Sequence, residues 1–215
     1  MRNSYSRIVL GLALCSALVA ASRASAPSPG NSTVPSCISL VGTSGRVPAH
    51  AAGAFQVEVR DLANRPIVGA HVVIELSGCP DLHFCADQLD PAMDVDCANK
   101  RIGKYTDQNG AVGFTLLGGS DGSGHAIELL GGGKVFEDGT LIGTPTVSAF
   151  DLDGANGVGI NDLSVWLTDF GTVGNPAFGR SDFDCSGNVG INDLSVWFTA
   201  FGSGAQIQSC GATCP

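Results

Sequence analysis

A 31-residue unit occurs twice near the C-terminal end of the sequence, starting at Asp151 and again at Asp182. Both copies contain the identical run Val-Gly-Ile-Asn-Asp-Leu-Ser-Val-Trp, which ends at Trp166 in the first copy and at Trp197 in the second. A unit of this length is one supersecondary element, and it cannot bury its apolar face without a neighbour. The repeat therefore predicts two copies of one small structure that pack against each other.

Each copy opens with the residue pattern of a calcium loop. Calcium is a hard cation with about six to eight oxygen ligands, which a 12-residue loop supplies from positions 1, 3, 5, 7, 9 and 12. Position 6 requires a sharp turn, which suits Gly187 and is tolerated by Asn156. We therefore predict two Ca²⁺ sites. Their ligand positions are Asp151, Asp153, Ala155, Gly157 and Asp162 in the first loop, and Asp182, Asp184, Ser186, Asn188 and Asp193 in the second.

The two loops differ at position 5, where Ala155 offers no side-chain oxygen and Ser186 offers one. Position 9 is Gly159 or Gly190, so water would have to supply that ligand. The second site is therefore predicted to be the tighter one. The alternative interpretation is an ordinary acidic turn, because Asp and Gly favour turns without any metal. The duplication, with the same helical pattern behind each loop, favours the metal loop.

After position 12 the apolar residues change to helical spacing. They lie at i, i+3, i+4 and i+7, and a glycine follows where each helix would end. The apolar positions are Leu163, Trp166, Leu167 and Phe170 in the first copy, and Leu194, Trp197, Phe198 and Phe201 in the second. Each copy thus predicts a short amphipathic helix whose apolar stripe is covered by that of the other copy. The two tryptophans are then core residues rather than platforms for sugar stacking.

The repeats resemble type I dockerins, a family of paired calcium-loop modules that dock onto cohesin domains. The resemblance covers about residues 151–203 and rests on the loops, the helices, the duplication, and Asp instead of Glu at position 12. It implies a small α module of two EF-hand-like calcium loops with paired short helices, and a cohesin-like protein partner. The family's partner contacts fall at positions 10 and 11. These are Ile160, Asn161, Ile191 and Asn192 here, in place of the hydroxyl pair typical of the family.

The first 24 residues have the layout of a secretory signal peptide. Arg2 and Arg7 precede an apolar run at 8–21 that is too short to span a bilayer, and small residues follow. Residues 25–36 are predicted to form a flexible lead-in. We therefore expect a secreted, extracellular protein without a membrane span, held at a cell surface only through a partner.

The charge distribution excludes one class of partner. The chain has a formal net charge of −9, and from residue 151 onward seven acids accompany a single base, Arg180. Nucleic-acid binding needs a basic surface, so we expect no nucleic-acid partner. An excess of acids in the repeats is instead what a metal-binding module requires.

Residues 37–150 predict an immunoglobulin-like β-sandwich. Thirty glycines and few charged residues are typical of a loop-rich β protein, and short alternating segments lie between turn residues. The predicted strands are 36–41, 55–60, 71–76, 101–106, 112–117, 125–130, 135–137 and 140–150. The turn at 107–110 predicts a hairpin. The phrases at 59–70 and 106–114 also resemble bacterial Ig-like domains of surface proteins.

The predicted organisation is therefore mostly β, with an Ig-like sandwich followed directly by the calcium-loop module. No Gly/Ser/Pro linker separates Phe150 from Asp151, so the two parts are expected to move nearly as one body. Residues 78–100 interrupt the strand rhythm and predict a long Cys-rich loop, which either carries binding or is a disulfide-stapled insertion. Residues 204–215 form a Cys-containing tail.

Cysteine counting leaves several pairings open. Cys37, Cys79, Cys85 and Cys97 fall in the predicted sandwich, where they allow three connectivities. Cys185, Cys210 and Cys214 fall in the C-terminal part. We expect Cys185 to pair with Cys210 or Cys214 and to fasten the tail over the second loop.

Nothing in the sequence predicts an enzyme. The four histidines lie outside any nucleophile-elbow or zinc-protease motif, and Asp94 and Asp96 imitate a glycosidase pair without an aromatic cleft. Three hypotheses remain. The favoured one is a non-catalytic, calcium-binding protein attached to a surface component through its repeats. The others are a carbohydrate-binding accessory protein of a polysaccharide-degrading system, and a small glycoside-acting enzyme.

Overall fold

The computed structural model describes residues 25–41, 53–85, 90–121, 132–155, 157–173, 176–202 and 213–214. These ranges contain helices α1 (Ile160–Asp169) and α2 (Ile191–Gly202), and 3-10 helices at Cys97–Asn99 and Pro176–Ser181. The strands are β1 (Cys37–Leu40), β2 (Ala54–Glu58), β3 (His71–Glu75), β4 (Leu82–Cys85), β5 (Asp94–Asp96), β6 (Arg101–Tyr105), β7 (Ala111–Thr115), β8 (Gly118–Ser120), β9 (Lys134–Glu137), β10 (Thr140–Gly143), β11 (Thr146–Ala149) and β12 (Thr213–Cys214).

The described strands form four small sheets. The largest is antiparallel, with the order β10-β9-β3-β6-β5. A second antiparallel sheet has the order β12-β4-β8, and β2 pairs antiparallel with β7. The first and last described strands of residues 37–150, β1 and β11, run parallel, with Cys37 opposite Thr146.

Period-two patterning located most strands, but it did not give their partners. Strands at 36–41, 55–60, 71–76, 101–106, 112–117 and 135–137 coincide with observed ones, and 140–150 contains β10 and β11. The strand expected at 125–130 lies outside the described residues. The hairpin at 107–110 is wrong. The turn itself forms, since Asp107 N donates to Ala111 O at 2.8 Å, but β6 then pairs with β3 and β5 whereas β7 pairs with β2.

One apolar cluster holds these sheets together. On β3, Val72 and Ile74 are fully buried while His71 and Val73 on the opposite face are half-buried. The cluster continues through buried residues of β2, β4, β6, β7 and β9. Each fully buried aliphatic or aromatic side chain contributes about 1.5–3 kcal/mol, so this cluster is the main source of stability for the β region.

Two segments expected to be loops belong to the β structure. Residues 78–100 are not a long decorated loop, because they contribute β4 and β5 to two different sheets. Residues 25–36 are not an unattached lead-in. Ser28 N donates to Arg60 O at 2.8 Å, and Thr33 and Glu58 exchange backbone hydrogen bonds.

The expected fold class is wrong. The described chain is mostly β, but its strands form four small sheets. The described chain does not form a sandwich followed by an independent EF-hand-like module whose two helices cover each other. Trp166 of α1 and Trp197 of α2 are buried in one cluster with Phe150 and with Val41 and Leu117 of the β region. An apolar helix face can be covered by any apolar surface, and here the β region provides it.

The described disulfides reinforce this arrangement and overturn the expected pairing of Cys185. Cys185 is bonded to Cys37 on β1, and Cys214 is bonded to Cys97. The bonds span 148 and 117 residues, so both tie the C-terminal part of the chain to the β region. Cys210 and the expected signal peptide lie outside the described ranges.

Among the residues described, neither helix has the length and apolarity needed to cross a membrane.

Candidate metal centre

In the first loop, the carboxylate of Asp162 joins the two ends of the loop and starts helix α1. Its Oδ1 accepts hydrogen bonds from Leu152 N at 2.6 Å and Asp153 N at 3.0 Å, and its Oδ2 accepts one from Gly159 N at 2.5 Å. Gly159 is the residue before the helix and Asp162 is its third residue. An acid that reaches back from this position to the capping residue is one half of a capping box. One side chain therefore fixes both the loop and the start of the helix.

The second loop repeats this arrangement. Asp193 Oδ1 accepts from Asp184 N at 3.0 Å, and Asp193 Oδ2 accepts from Gly190 N at 2.7 Å. Asp182 Oδ2 accepts from Gly187 N at 2.9 Å. Gly187 has φ +82°, so position 6 takes the left-handed turn that the sequence predicted. The two copies thus place their position-12 carboxylates by equivalent backbone contacts, whereas Asp151 accepts from Gly154 N, and Asp182 accepts from Ser186 N and Gly187 N.

Both loops bring their three predicted carboxylates together. In each cluster, one oxygen from every carboxylate lies within 4.8 Å of the others; the clusters are Asp151, Asp153 and Asp162, and Asp182, Asp184 and Asp193. Four of these acids are buried, with exposures of 5% for Asp151, 0% for Asp162, 3% for Asp182 and 1% for Asp193.

Neither cluster takes part in an ion pair within the part of the chain that the structure describes. The ion pairs among the described residues all join other acids, namely Glu58, Asp61, Glu75, Asp90, Asp94 and Asp169. A buried carboxylate without a positive partner is costly, and such groups are normally paired or bound to a metal. The arrangement therefore fits a bound cation at each loop.

The pKa values of the carboxyl groups reflect the same unfavourable burial of negative charge. Burial, together with the neighbouring Asp162 carboxylate, raises the pKa of Asp151 to about 7. Burial, together with the Asp193 carboxylate, raises the pKa of Asp182 to about 6. Burial also raises the pKa of Asp162 and Asp193, against the lowering effect of the backbone N–H groups that they accept. A divalent cation would reverse these shifts, because it favours the ionised form.

The remaining ligand positions differ between the loops. Ser186 Oγ at position 5 donates to Asn188 O at position 7 over 3.2 Å, so two further oxygens lie side by side in the second loop. Ala155 at position 5 has no side-chain oxygen, and only its backbone N–H acts, donating to Asp153 Oδ1 at 2.9 Å. Gly157 at position 7 has φ +70° and can offer only its carbonyl oxygen. The second loop therefore offers more candidate oxygen ligands than the first.

Both loops rest against the β region. Ser120 N on β8 donates to Asp151 O at 2.8 Å. Gly154 has φ +71°, and a Cβ on it would lie 2.5 Å from Ser120 O, so this position admits only glycine. Next to the second loop, the rings of Phe150 and Phe183 stack at 4.9 Å between centroids. The loops are thus held by the strands and do not project from them.

A buried ion pair, not predicted from the sequence, joins the end of α1 to the 3-10 helix at Pro176–Ser181 that precedes the second loop. Arg180 Nε lies 3.0 Å from Asp169 Oδ2 at the end of α1, and their side chains are only 3% and 1% exposed. Ser181 Oγ donates to the same Asp169 oxygen at 2.5 Å. The available signal was that Arg180 is the single base after residue 150. A lone base among acids would be expected to have a structural partner.

The buried faces of the helices are not the predicted apolar stripes. The buried residues at i, i+4 and i+7 are Asp162, Trp166 and Asp169 on α1, and Asp193, Trp197 and Ala200 on α2. Leu167, Phe170, Phe198 and Phe201, which were expected to cover the partner helix, are exposed. The prediction used apolarity alone, whereas the buried face carries acids that bind the loop or Arg180. The core position of both tryptophans is confirmed.

The four predicted partner contacts lie at the starts of the helices and are all exposed. Ile160 is 67% exposed and Ile191 is 69% exposed, with Asn161 and Asn192 beside them. Further exposed apolar residues follow about two helical turns later on the same side of each helix. Each helix therefore presents an apolar strip to solvent: Ile160, Leu167 and Phe170 on α1, and Ile191, Phe198 and Phe201 on α2. We call these the two outer strips.

Two of the residues weighed for catalysis, His71 and Asp94, lie close together, whereas His50 and His125 lie outside the described residues. Asp94 and Asp96 lie on β5, where Asp94 Oδ2 is 3.2 Å from His71 Nε2. The His71 ring stacks on Tyr105 with centroids 4.6 Å apart. His71, Asp94 and Asp96 line a cavity of about 270 Å³ on the outer face of the large sheet.

Comparison of the chain with protein-family models, with curated proteins and with solved structures finds no match. Its function is therefore inferred from the geometry of the two loops.

Proposed function

We propose that the loops at 151–162 and 182–193 bind one Ca²⁺ each, and that the protein is a secreted, non-catalytic calcium-binding protein. The observation that carries this proposal is a pair of carboxylate clusters, each with two buried acids, that join none of the ion pairs among the described residues. Burying like charges together is unfavourable unless a cation accompanies them. The two clusters occupy equivalent positions of the repeat, as expected if each loop is a cation-binding site.

The donor set favours calcium over other metals. The candidate ligands are carboxylate, hydroxyl and backbone carbonyl oxygens, with no histidine or thiolate among them, which disfavours zinc and copper. Magnesium requires near-ideal octahedral geometry and usually keeps several of its waters. Calcium accepts more ligands and irregular geometry, which suits a flexible 12-residue loop.

Calcium would act as a structural ion in this protein. Asp162 and Asp193 each belong both to a loop and to the first turn of a helix. The buried residues Leu152 and Val158 in the first loop, and Val189 in the second, contribute to the core that holds Trp166 and Trp197. Neutralising the carboxylates would thus stabilise the loops, the helix starts and the shared core together.

We further propose that the helices serve protein attachment. The outer strips are duplicated, apolar and exposed, and four of the residues beside or within them occupy the partner-contact positions that the dockerin resemblance implies. Ile160 and Ile191 lie in the last part of each calcium loop, so the orientation of their side chains would depend on bound calcium. A partner for these strips would present a complementary apolar surface, and its cohesin-like nature remains part of the proposal.

A second function is favoured by one specific feature of the β region. Tyr105 is exposed and stacked on His71, beside the cavity that also contains Asp94, Asp96 and Arg101. An exposed ring flanked by planar polar groups is an arrangement that binds sugars. A glycan array with the wild-type protein and a Tyr105→Ala variant tests this role. We expect the wild-type protein to bind sugars on the array and the variant to lose that binding.

Calorimetric titration with calcium tests the main proposal. We expect two bound ions per oxidised wild-type chain, one in Asp151→Asn and one in Asp182→Asn, because each substitution removes the position-1 charge of one loop. Asp107→Asn is the matched control, since Asp107 forms an acidic turn remote from both loops. A wild-type protein that binds no calcium at millimolar concentration would refute the proposal.

A further inference from the structure

Position 4 is the point at which the two loops are built differently. In the first loop it is Gly154 with φ +71°, and in the second it is Cys185 with φ +55°. The left-handed region is unfavourable for an L-residue because its Cβ crowds the backbone, and glycine avoids this clash. The second loop therefore holds a non-glycine residue in a conformation that it disfavours, at the position next to two of the proposed ligands.

A disulfide fixes that residue. Cys185 is bonded to Cys37 on β1, with Cα atoms 5.8 Å apart. Cys37 Sγ also lies 3.9 Å from Phe183 O, so β1 contacts the loop on the other side of Asp184. β1 is itself paired along its whole length with β11. The turn of the second loop is thus bonded to a strand in the interior of the β region.

The backbone around Cys185 sets the proposed ligands. Ser186 N donates to Asp182 Oδ1 at 3.0 Å and to Asp184 Oδ1 at 2.9 Å, and Gly187 N donates to Asp182 Oδ2 at 2.9 Å. These three hydrogen bonds exist only if the chain turns at position 4. If Cys185 left the left-handed region, the carboxylates at positions 1 and 3 would no longer converge on Asp193.

We infer that the Cys37–Cys185 disulfide is a positioning element for the second metal site, and that it makes calcium affinity at this site dependent on thiol oxidation. The inference rests on the calcium-binding function proposed above. The first site carries no such dependence, because Gly154 adopts its conformation without a bond. Reduction by a dithiol would transfer two electrons and two protons to the bond, which yields two cysteine thiols and the oxidised dithiol.

Linkage makes the effect reciprocal. If oxidation tightens calcium binding at the second site by a given factor, calcium must favour the oxidised form by the same factor. A tenfold effect corresponds to a shift of about 30 mV for a two-electron couple. The protein would then bind its second ion more tightly in an oxidising compartment, and bound calcium would protect the bond from reduction.

The first test uses variants in which one site is read alone. In the Asp151→Asn background only the second site binds, and in Asp182→Asn only the first does. We expect Cys37→Ala/Cys185→Ala to weaken the second site at least tenfold and to leave the first unchanged. Cys37→Ala/Cys185→Gly should recover part of the loss, because glycine restores the left-handed turn without the bond. An unchanged second site in the double alanine variant would overturn the inference while calcium binding itself stands.

The second test needs no variant and covers the case in which the cysteine variants fail to fold. Wild-type protein is equilibrated in dithiol redox buffers with calcium or with chelator, and the thiols are alkylated and mapped by mass spectrometry. We expect calcium to shift the Cys37–Cys185 equilibrium toward the disulfide about tenfold, with little shift at Cys97–Cys214. Equal shifts at both bonds, or none, would contradict the inference. Absence of calcium binding by oxidised wild-type protein would instead refute the proposed function.

Discussion

At the scale of single residues, four buried loop acids have no basic partner among the described residues. Asp162 and Asp193 accept backbone hydrogen bonds that stabilise their ionised form, yet burial raises their pKa. Asp151 and Asp182 have fewer such donors and are shifted further, to about 7 and about 6. Near neutral pH, each loop therefore disfavours full ionisation of its carboxylates. A divalent cation would offset their negative charge.

The missing ligand at position 5 of the first loop can be supplied. We expect Ala155→Asp to tighten calcium binding at the first site by about tenfold, because it adds an oxygen and a negative charge to an exposed loop position. Ala155→Ser should give a smaller gain and reproduce the second loop. Calorimetry in the Asp182→Asn background measures both. If Ala155→Asp binds no more tightly than wild type, position 5 does not face the ion.

Calcium affinity should fall with acidity at different pH values in the two loops. Protons and calcium compete for the same oxygens, so the first site should weaken below about pH 7 and the second below about pH 6. The sign is opposite for the metal-free protein. A raised folded-state pKa contributes stability below the unfolded value of about 4, and this contribution is lost as pH rises through 6 and 7. Titrations of the two single-site variants between pH 5 and 8 check this order, and identical pH profiles would contradict it.

At the scale of elements, the helices illustrate what the sequence could and could not predict. The duplicated spacing located both helices, and the loop pattern identified all six converging carboxylates. The buried face was missed because it carries Asp162 and Asp169 beside Trp166. An apolarity pattern cannot identify a face whose acids are satisfied by backbone N–H groups, a metal ion or Arg180. The Asp169–Arg180 pair was missed for the same reason, since its partners meet only in the folded chain.

Removing one member of that buried pair should be strongly destabilising. Arg180→Met leaves the Asp169 carboxylate buried without its cation, and loss of one partner of a buried pair costs about 3–5 kcal/mol. The double variant Asp169→Leu/Arg180→Met should lose less, because no uncompensated charge remains. Arg60→Met is the control, since the side chains of Arg60 and Glu58 are 30% and 39% exposed and such a pair is worth at most about 1 kcal/mol. Urea unfolding in calcium measures all three variants, and similar losses for Arg180→Met and Arg60→Met would contradict this expectation.

At the scale of the whole molecule, the repeats and the β region form one unit. Trp197 Nε1 donates to Phe150 O at 3.3 Å, and the Cys37–Cys185 and Cys97–Cys214 bonds join the two parts covalently. The sequence showed that Asp151 follows Phe150 without a linker, but it did not show that the two parts share a core. Pairings across 148 or 117 residues leave no trace in local periodicity. Where the C-terminal part packs therefore had to come from the structure.

A shared core predicts cooperative unfolding. In calcium, tryptophan fluorescence, which reports the helices, and the far-ultraviolet circular dichroism of the strands should follow the same urea transition. Chelation should shift both transitions to lower urea, because calcium binds only the folded loops. Asp107→Asn should respond to calcium as wild type does. Two separated transitions in the presence of calcium would show that the repeats fold as an independent module.

The central claim is that both acidic loops bind calcium, and tryptophan-sensitised terbium luminescence tests it most directly. Terbium replaces calcium at oxygen sites, and Trp166 and Trp197 follow their loops by about one helical turn. On titration of the oxidised protein we expect emission that saturates at two ions per chain and is displaced by calcium. Asp151→Asn and Asp182→Asn should each remove one ion. Emission that never rises above that of free terbium, or that calcium fails to displace, would contradict the account.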